Sequence, residues 1–110
     1  MAQWSIPERA LLAAFSDAVR ARFGPRVRDL RVFGSRARGD SDADSDIDVL
    51  VAISDVTWQE RDAVLDLACD LGTAAGLVLS PLVRDPAALA RSTALAAEIA
   101  RDGVALPEGR

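Results

Sequence analysis

The sequence contains no histidine, no lysine and no tyrosine, and it contains a single cysteine. Without histidine there is no imidazole to act as a general base, and most zinc sites lose their usual ligand. All thirteen positively charged residues are arginine, so a phosphate-binding lysine of the P-loop type is excluded. The one cysteine, Cys69, cannot form an internal disulfide bond.

Long apolar runs and an excess of positive charge are missing as well. The chain has no signal peptide and no apolar run of about eighteen residues, so we expect a cytoplasmic protein without a membrane partner. The net charge is −4 and the isoelectric point is near 4.7. Because nucleic-acid grooves are normally basic, this balance argues against a nucleic-acid partner.

The composition that remains is typical of one folded domain. Half of the residues are hydrophobic and 27% are charged, which indicates a globular protein and not a disordered one. A chain of this length buries about 60 to 70% of the surface that it exposes when unfolded. We therefore predict a single domain over residues 1–110.

Two capping boxes predict the long helices. Ser5 with Glu8 begins a first helix, and Thr57 with Glu60 begins a second one, which ends at Gly76. The packed face of this second helix is predicted to comprise Val64, Leu67, Ala68, Leu71 and Ala75.

Strand signals alternate with the helices. We predict strands at residues 27–33, 46–53, 77–83 and 104–106, a short helical piece after Asp85 and a last helix at 92–101. Pro81 confines the third strand to an edge or a bulge. The predicted fold class is α/β (α+β), with a small mixed sheet of three to four strands backed by helices.

The second strand carries two aspartates in an otherwise apolar run. Side chains alternate between the faces of a strand, so Asp46 and Asp48 share one face, about 6.5 to 7 Å apart along it. Two such carboxylates can bridge a hard cation, and without a cation or water they are costly beside apolar neighbours. We therefore predict that Asp46 and Asp48 bind a metal ion, with magnesium as the expected ion.

A Gly-Ser turn ends the first strand ahead of these aspartates. Free backbone N–H groups, a hydroxyl and the dipole of a helical turn favour a phosphate at Gly34 and Ser35. Arg36 and Arg38 are the nearest cations. The competing interpretation is a plain turn with solvated arginines, since glycine and serine are general turn formers.

The acidic loop between the two strands could also be the start of an EF-hand calcium loop. Asp40, Asp42 and Asp44 match its first three ligand positions. The sixth position should then be glycine and the twelfth glutamate, but these positions hold Ser45 and Val51. We therefore reject a calcium loop.

The same stretch resembles the signature of the polymerase β-like nucleotidyltransferase superfamily. The matching parts are G-S-R-A-R-G from Gly34, a short acidic spacer, and S-D-I-D-V-L-V from Ser45. The resemblance is closest to the minimal, MNT-type members, which include the MntA-like antitoxins. It covers about a fifth of the chain.

This resemblance implies a fold, a reaction and partners. The fold would be that of the polymerase β-like nucleotidyltransferases. The reaction would transfer a nucleoside monophosphate from ATP or another triphosphate to a hydroxyl, with Mg²⁺ or Mn²⁺ held by the catalytic residues Asp46 and Asp48. Some minimal members are antitoxins that add AMP to a tyrosine of a HEPN-type toxin, so a HEPN-type helical protein is the expected partner.

One departure from the family pattern leaves an alternative open. Many members carry a third carboxylate on the strand beside the two aspartates, where it helps to hold the catalytic metal and to deprotonate the acceptor. The third predicted strand has no carboxylate, and Ser80 stands near the expected position. A non-catalytic module of the same fold, which neutralises a toxin by binding, is the alternative. A bare structural metal-binding domain would leave Gly34 and Ser35 unexplained.

Overall fold

A computed structural model describes residues 4–38 and 46–107 of the chain. Within these ranges helices and strands follow in the order α1 Ile6–Phe23, β1 Val27–Phe33, α2 Ser35–Arg38, β2 Ile47–Ile53, α3 Trp58–Ala75, β3 Leu79–Arg84, α4 Pro86–Arg91, α5 Thr93–Asp102 and β4 Val104–Ala105. The predicted positions of α1, β1 and α3 are confirmed. The ends of β3, α4 and α5 differ from the prediction by a residue or two.

Both predicted capping boxes are present. The backbone N–H of Glu8 donates to the Ser5 hydroxyl at 3.2 Å, and the N–H of Ser5 donates to the Glu8 carboxylate at 2.8 Å. Thr57 and Glu60 repeat this pair of hydrogen bonds at 3.1 and 3.0 Å. The two long helices therefore begin where local hydrogen bonding satisfies their first N–H groups.

The four strands form one mixed sheet in the order β3-β2-β1-β4. β1 is antiparallel to both β2 and β4, whereas β2 and β3 are parallel. β3 is an edge strand, as its proline predicts. The predicted fold class is confirmed.

Different helices pack on the two faces of the sheet. α1 and α3 pack on one face, and the cluster of buried side chains there includes Phe15, Val19, Val49, Val51 and Val64. On the other face Leu50 is fully buried and shares a cavity of about 320 Å³ with Leu89, Ala96 and Ile99 of α4 and α5. The short helices thus cover only part of this second face. None of the described helices has the length and apolar character of a membrane span.

One predicted core position of α3 is wrong. Ala75 is exposed, and Gly72 is buried on the packed face instead. The chain reverses at Gly76 and brings Leu77 over α3, so a Cβ on Gly72 would lie 2.7 Å from the Leu77 carbonyl oxygen. The packed face therefore ends one turn earlier than the periodicity alone predicts.

Glu60 has a second partner besides its own capping box. Arg26, which precedes β1, donates to both oxygens of its carboxylate at 2.7 and 2.8 Å. These hydrogen bonds, with further ones from Thr57, lower the pKa of Glu60 from 4.5 to about 2. A pKa that is depressed in the folded state gives stabilisation that is present above the unfolded pKa and lost as the pH falls through the folded pKa.

Replacing Glu60 by Gln should therefore weaken the pH dependence of the free energy of unfolding between about pH 4.5 and pH 2. Urea unfolding at a series of pH values measures this dependence. On acidification through that range the wild type should lose more stability than the variant. An equal loss of stability in the two proteins would contradict a stabilising contribution from the Glu60 ion pair.

Candidate active site

The uncovered part of the second face lies where β1 ends and β2 begins. Antiparallel pairing places Phe33 opposite Asp48, so the next residue, Gly34, lies beside that aspartate. A Cβ built on Gly34 would lie 3.0 Å from the Oδ2 atom of Asp48. The predicted phosphate-binding turn and the predicted metal ligands are therefore neighbours.

Gly34 is needed at this turn for two reasons. Its φ of +75° is in the left-handed region, which other residues adopt at a cost. It also lacks the Cβ that would press on the Asp48 carboxylate. The backbone can then approach that carboxylate closely, and α2 begins at the next residue, Ser35.

The two aspartates differ in exposure and are electrostatically coupled. Asp46, just before β2, is exposed, whereas Asp48 is half-buried within the strand. Burial raises the pKa of the Asp48 carboxyl above its usual value, and the charges of Asp46 and Glu98 raise it further. A cation bound here would offset this cost of ionising Asp48.

Glu98 was not among the residues predicted for this site. This residue is half-buried on α5, beside the buried Ile99. Helical periodicity could have indicated Glu98, because this residue precedes the inward-facing Ile99 and therefore lies at the border of the packed face of α5. Its charge reaches Asp48 from an element far away in the sequence.

The carboxylates fit a hard divalent cation with a partly open coordination sphere. Across residues 4–38 and 46–107, no three side chains of His, Cys, Asp or Glu converge closely enough to hold a metal together. Two carboxylates suffice where water and substrate oxygens complete an octahedron, as they do around magnesium. The parallel register places Ser80 opposite Asp48, so the neighbouring strand offers a hydroxyl there and no carboxylate.

Arg36 of α2 is buried against the N-terminal end of α1. Only 8% of Arg36 is exposed, and its guanidinium forms an ion pair with Glu8, of which 9% is exposed. Glu8 was predicted only as a capping residue, because no local pattern reveals a partner 28 positions away. Arg36 was predicted as a cation near the phosphates, and the structure adds this carboxylate as its neighbour.

Arg38 is the last residue of α2. Residues 39–45 follow it and lie outside the described part of the chain. The predictions that fall on this segment are the acidic loop with Asp40, Asp42 and Asp44 and the first residue of the second motif, Ser45. They have no structural counterpart here.

A cavity of about 360 Å³ adjoins Asp46 on the side of β3. Apolar side chains of α3 and of the start of β3 line most of it, and Ser80 and Thr73 add hydroxyl groups. Its volume lies within the range of small-molecule sites. Asp48 thus lies beside the Gly34 turn, and Asp46 borders the apolar cavity.

Comparison with known proteins identifies the family. The family model described as the nucleotidyltransferase domain matches residues 12–75, which is more than half of the chain. A protein of Methanocaldococcus jannaschii that is named as a protein adenylyltransferase is 34% identical over 76 residues, which cover 69% of this chain and 72% of that protein.

Solved structures agree with this match. A structure described as a minimal nucleotidyltransferase has a TM-score of 0.62 and 29% identity, and the match covers 89% of this chain and 91% of that one. A chain of a toxin-antitoxin structure with AMP-PNP has a TM-score of 0.60 and 22% identity, covering 89% and 74% of the two chains, and shares the fold. The resemblance found in the sequence is confirmed, and the chain belongs to the nucleotidyltransferase domain family of transferase enzymes.

Proposed function

We propose that this protein transfers AMP from ATP to a hydroxyl group of a partner protein in the cytoplasm, with magnesium as its metal ion. The observation that carries the proposal is the close approach of the Gly34 backbone to the Asp48 carboxylate. A Cβ on Gly34 would meet Oδ2 of Asp48 at 3.0 Å, so a phosphate bound at the turn would lie next to a metal bound at the carboxylate. A triphosphate with its metal ion needs both groups side by side.

Asp46 and Asp48 would hold the metal ion. When bound, magnesium, or manganese in its place, would neutralise charge on the triphosphate and, as a Lewis acid, polarise an oxygen of the phosphoryl group that is attacked. Asp48 would supply a carboxylate from β2, and Asp46, exposed just before that strand, would supply a second one, near enough for its charge to raise the pKa of Asp48. These two residues would orient the bound triphosphate relative to the sheet.

Gly34 and Ser35 would bind the β- and γ-phosphates through backbone N–H groups and the serine hydroxyl. Arg36 and Arg38 would offset the charge that develops on the leaving pyrophosphate. For Arg36 this contribution comes from a guanidinium that already pairs with Glu8. The acidic net charge of −4 makes these local cations important for holding a triphosphate.

The acceptor is proposed to be a tyrosine on another protein. This chain contains no tyrosine, so it cannot be its own tyrosyl acceptor. The name of the Methanocaldococcus relative supports a protein acceptor, and the toxin-antitoxin structure supports a toxin as the partner. We propose a HEPN-type helical toxin, with this chain as its antitoxin.

A binding module without catalysis is the second candidate. The observation that favours it is Ser80, which stands opposite Asp48 on the neighbouring strand. Two carboxylates can hold a nucleotide-bound metal, but a second metal and a general base for the acceptor would lack a ligand from this strand. Such a module would neutralise a toxin by covering its surface.

Replacing Asp48 by Asn should have opposite effects on stability and on binding. A folded-state pKa that is raised gives stabilisation that is complete below the unfolded pKa and is lost as the pH rises through the folded pKa. Without metal at pH 7, the variant should therefore unfold at a slightly higher temperature than the wild type. With magnesium present it should bind ATP more weakly.

Thermal unfolding in EDTA and calorimetric titration with ATP and magnesium measure the two effects. Asp66→Asn, at an exposed position of α3, is the control and should change neither. Equal ATP affinity of the wild type and the Asp48 variant would contradict the proposed metal site.

Replacing Ser35 by Ala should weaken ATP binding by about 0.5 to 1.5 kcal/mol, the net value of one hydrogen bond. Ser92→Ala is a suitable control, because Ser92 precedes α5 and its side chain makes no capping hydrogen bond. Both affinities are measured by the same calorimetric titration. If the Ser35 variant binds ATP as tightly as the wild type does, Gly34 and Ser35 form a plain turn without a phosphate-binding role.

Transfer should depend on the partner. The purified chain with ATP and magnesium should give little product until the partner protein is added, after which the mass of the partner should increase by whole AMP units. A variant that carries both Asp46→Asn and Asp48→Asn should abolish this increase in mass. If that variant binds and neutralises the partner as well as the wild type does, the binding module is the better description.

A further inference from the structure

The ion pair between Glu8 and Arg36 joins the first turn of α1 to the phosphate-binding turn. It is buried, with 12% of the Glu8 side chain and 7% of the Arg36 side chain exposed. A buried arginine is costly unless a carboxylate and hydrogen bonds compensate for its lost hydration. The pair therefore constrains both residues more strongly than an exposed pair would.

The carboxylate of Glu8 is itself fixed. One oxygen accepts a hydrogen bond from the backbone N–H of Ser5 at 2.8 Å as part of the α1 capping box. The other oxygen contacts Arg36. Because α1 is an 18-residue helix packed in the core, this carboxylate is an anchor point on a rigid element.

α2, by contrast, is too short to define its own conformation. It has four residues, and a helix of this length is not stable without tertiary contacts. In the described part of the chain its contacts include the buried Ala37 and the Glu8 ion pair of Arg36. Gly34, which precedes α2, lies close against the side chain of Asp48.

We infer that Glu8 is a positioning residue for nucleotide binding: through Arg36 it holds α2 so that the N–H groups after Gly34 point to the phosphates. This inference rests on the proposed function, because it concerns the same triphosphate. It assigns the first turn of α1 a part in the active site that goes beyond the start of a helix. The guanidinium of Arg36 then stays paired with Glu8 and orients the turn, and its charge offsets that of the phosphates through space, without a direct hydrogen bond to them.

The opposite possibility gives a different result. If Arg36 bound the phosphates directly, Glu8 would compete with them for its guanidinium. Removing the charge of Glu8 would then free Arg36 and leave triphosphate binding unchanged or stronger. A positioning role predicts weaker binding after the same substitution, so the sign of the change separates the two.

The chain contains a matched control for this pair. Glu60 also closes a capping box, that of α3, and it also pairs with an arginine, Arg26. This second pair lies at the far end of β1 from Gly34, a distance of about 20 Å for a strand of seven residues. Glutamine is accepted at this position of a capping box, so Glu8→Gln and Glu60→Gln each remove one charge and keep the cap.

The first measurement is NMR relaxation of the backbone amides without nucleotide. Glu8→Gln should lower the order parameters at residues 35–38, whereas Glu60→Gln should leave them as in the wild type. Unchanged order parameters at residues 35–38 in the Glu8 variant would overturn the inference. If the single variant does not fold, Glu8→Gln with Arg36→Gln replaces it, because this pair of changes removes both charges of the buried ion pair.

The second measurement is calorimetric titration with ATP and magnesium. Glu8→Gln should lower the affinity about fivefold or more, as expected for coupled sites, and Glu60→Gln should not. An affinity that is unchanged or higher in the Glu8 variant would overturn the inference. If the wild type itself binds no ATP, the proposed function fails, and the order parameters alone decide whether Glu8 orders α2.

Discussion

The close approach of the Gly34 backbone to the Asp48 carboxylate is the constraint on which the site depends. It requires a left-handed glycine at the end of β1 and the antiparallel register that sets Phe33 opposite Asp48. Along this strand Leu50 is fully buried, whereas Asp48 is only half-buried. Ionised Asp48 is costly at this position, because burial and the charges of Asp46 and Glu98 raise its pKa, and a bound cation would offset that cost.

Local patterns in the sequence predicted those parts of the fold that local physics controls. The capping boxes at Ser5 and Thr57 located the two long helices, and the apolar run around Asp48 located β2. Pro81 correctly predicted an edge strand. In each case the deciding interaction lies within a few residues along the chain, so the pattern contains it.

What the sequence did not reveal depends on contacts between distant segments. Glu8 meets Arg36, and Glu98 raises the pKa of Asp48, only because the sheet brings α1, α2 and α5 around the same strands. Ala75 was assigned to the core because periodicity takes no account of the reversal at Gly76. The identities of the metal-binding and phosphate-binding residues remain predictions, although the structure brings Gly34 and Asp48 together.

The two edges of the sheet limit how another protein can recognise this chain. β4 has only two residues, and β3 contains a proline, which lacks an N–H donor. Neither edge offers a long run of free backbone groups, so adding a strand from another molecule would gain few hydrogen bonds. The same feature discourages copies of the chain from joining edge to edge. Recognition of a partner then has to come from side chains on helices and loops, where sequence can change without disturbing the sheet.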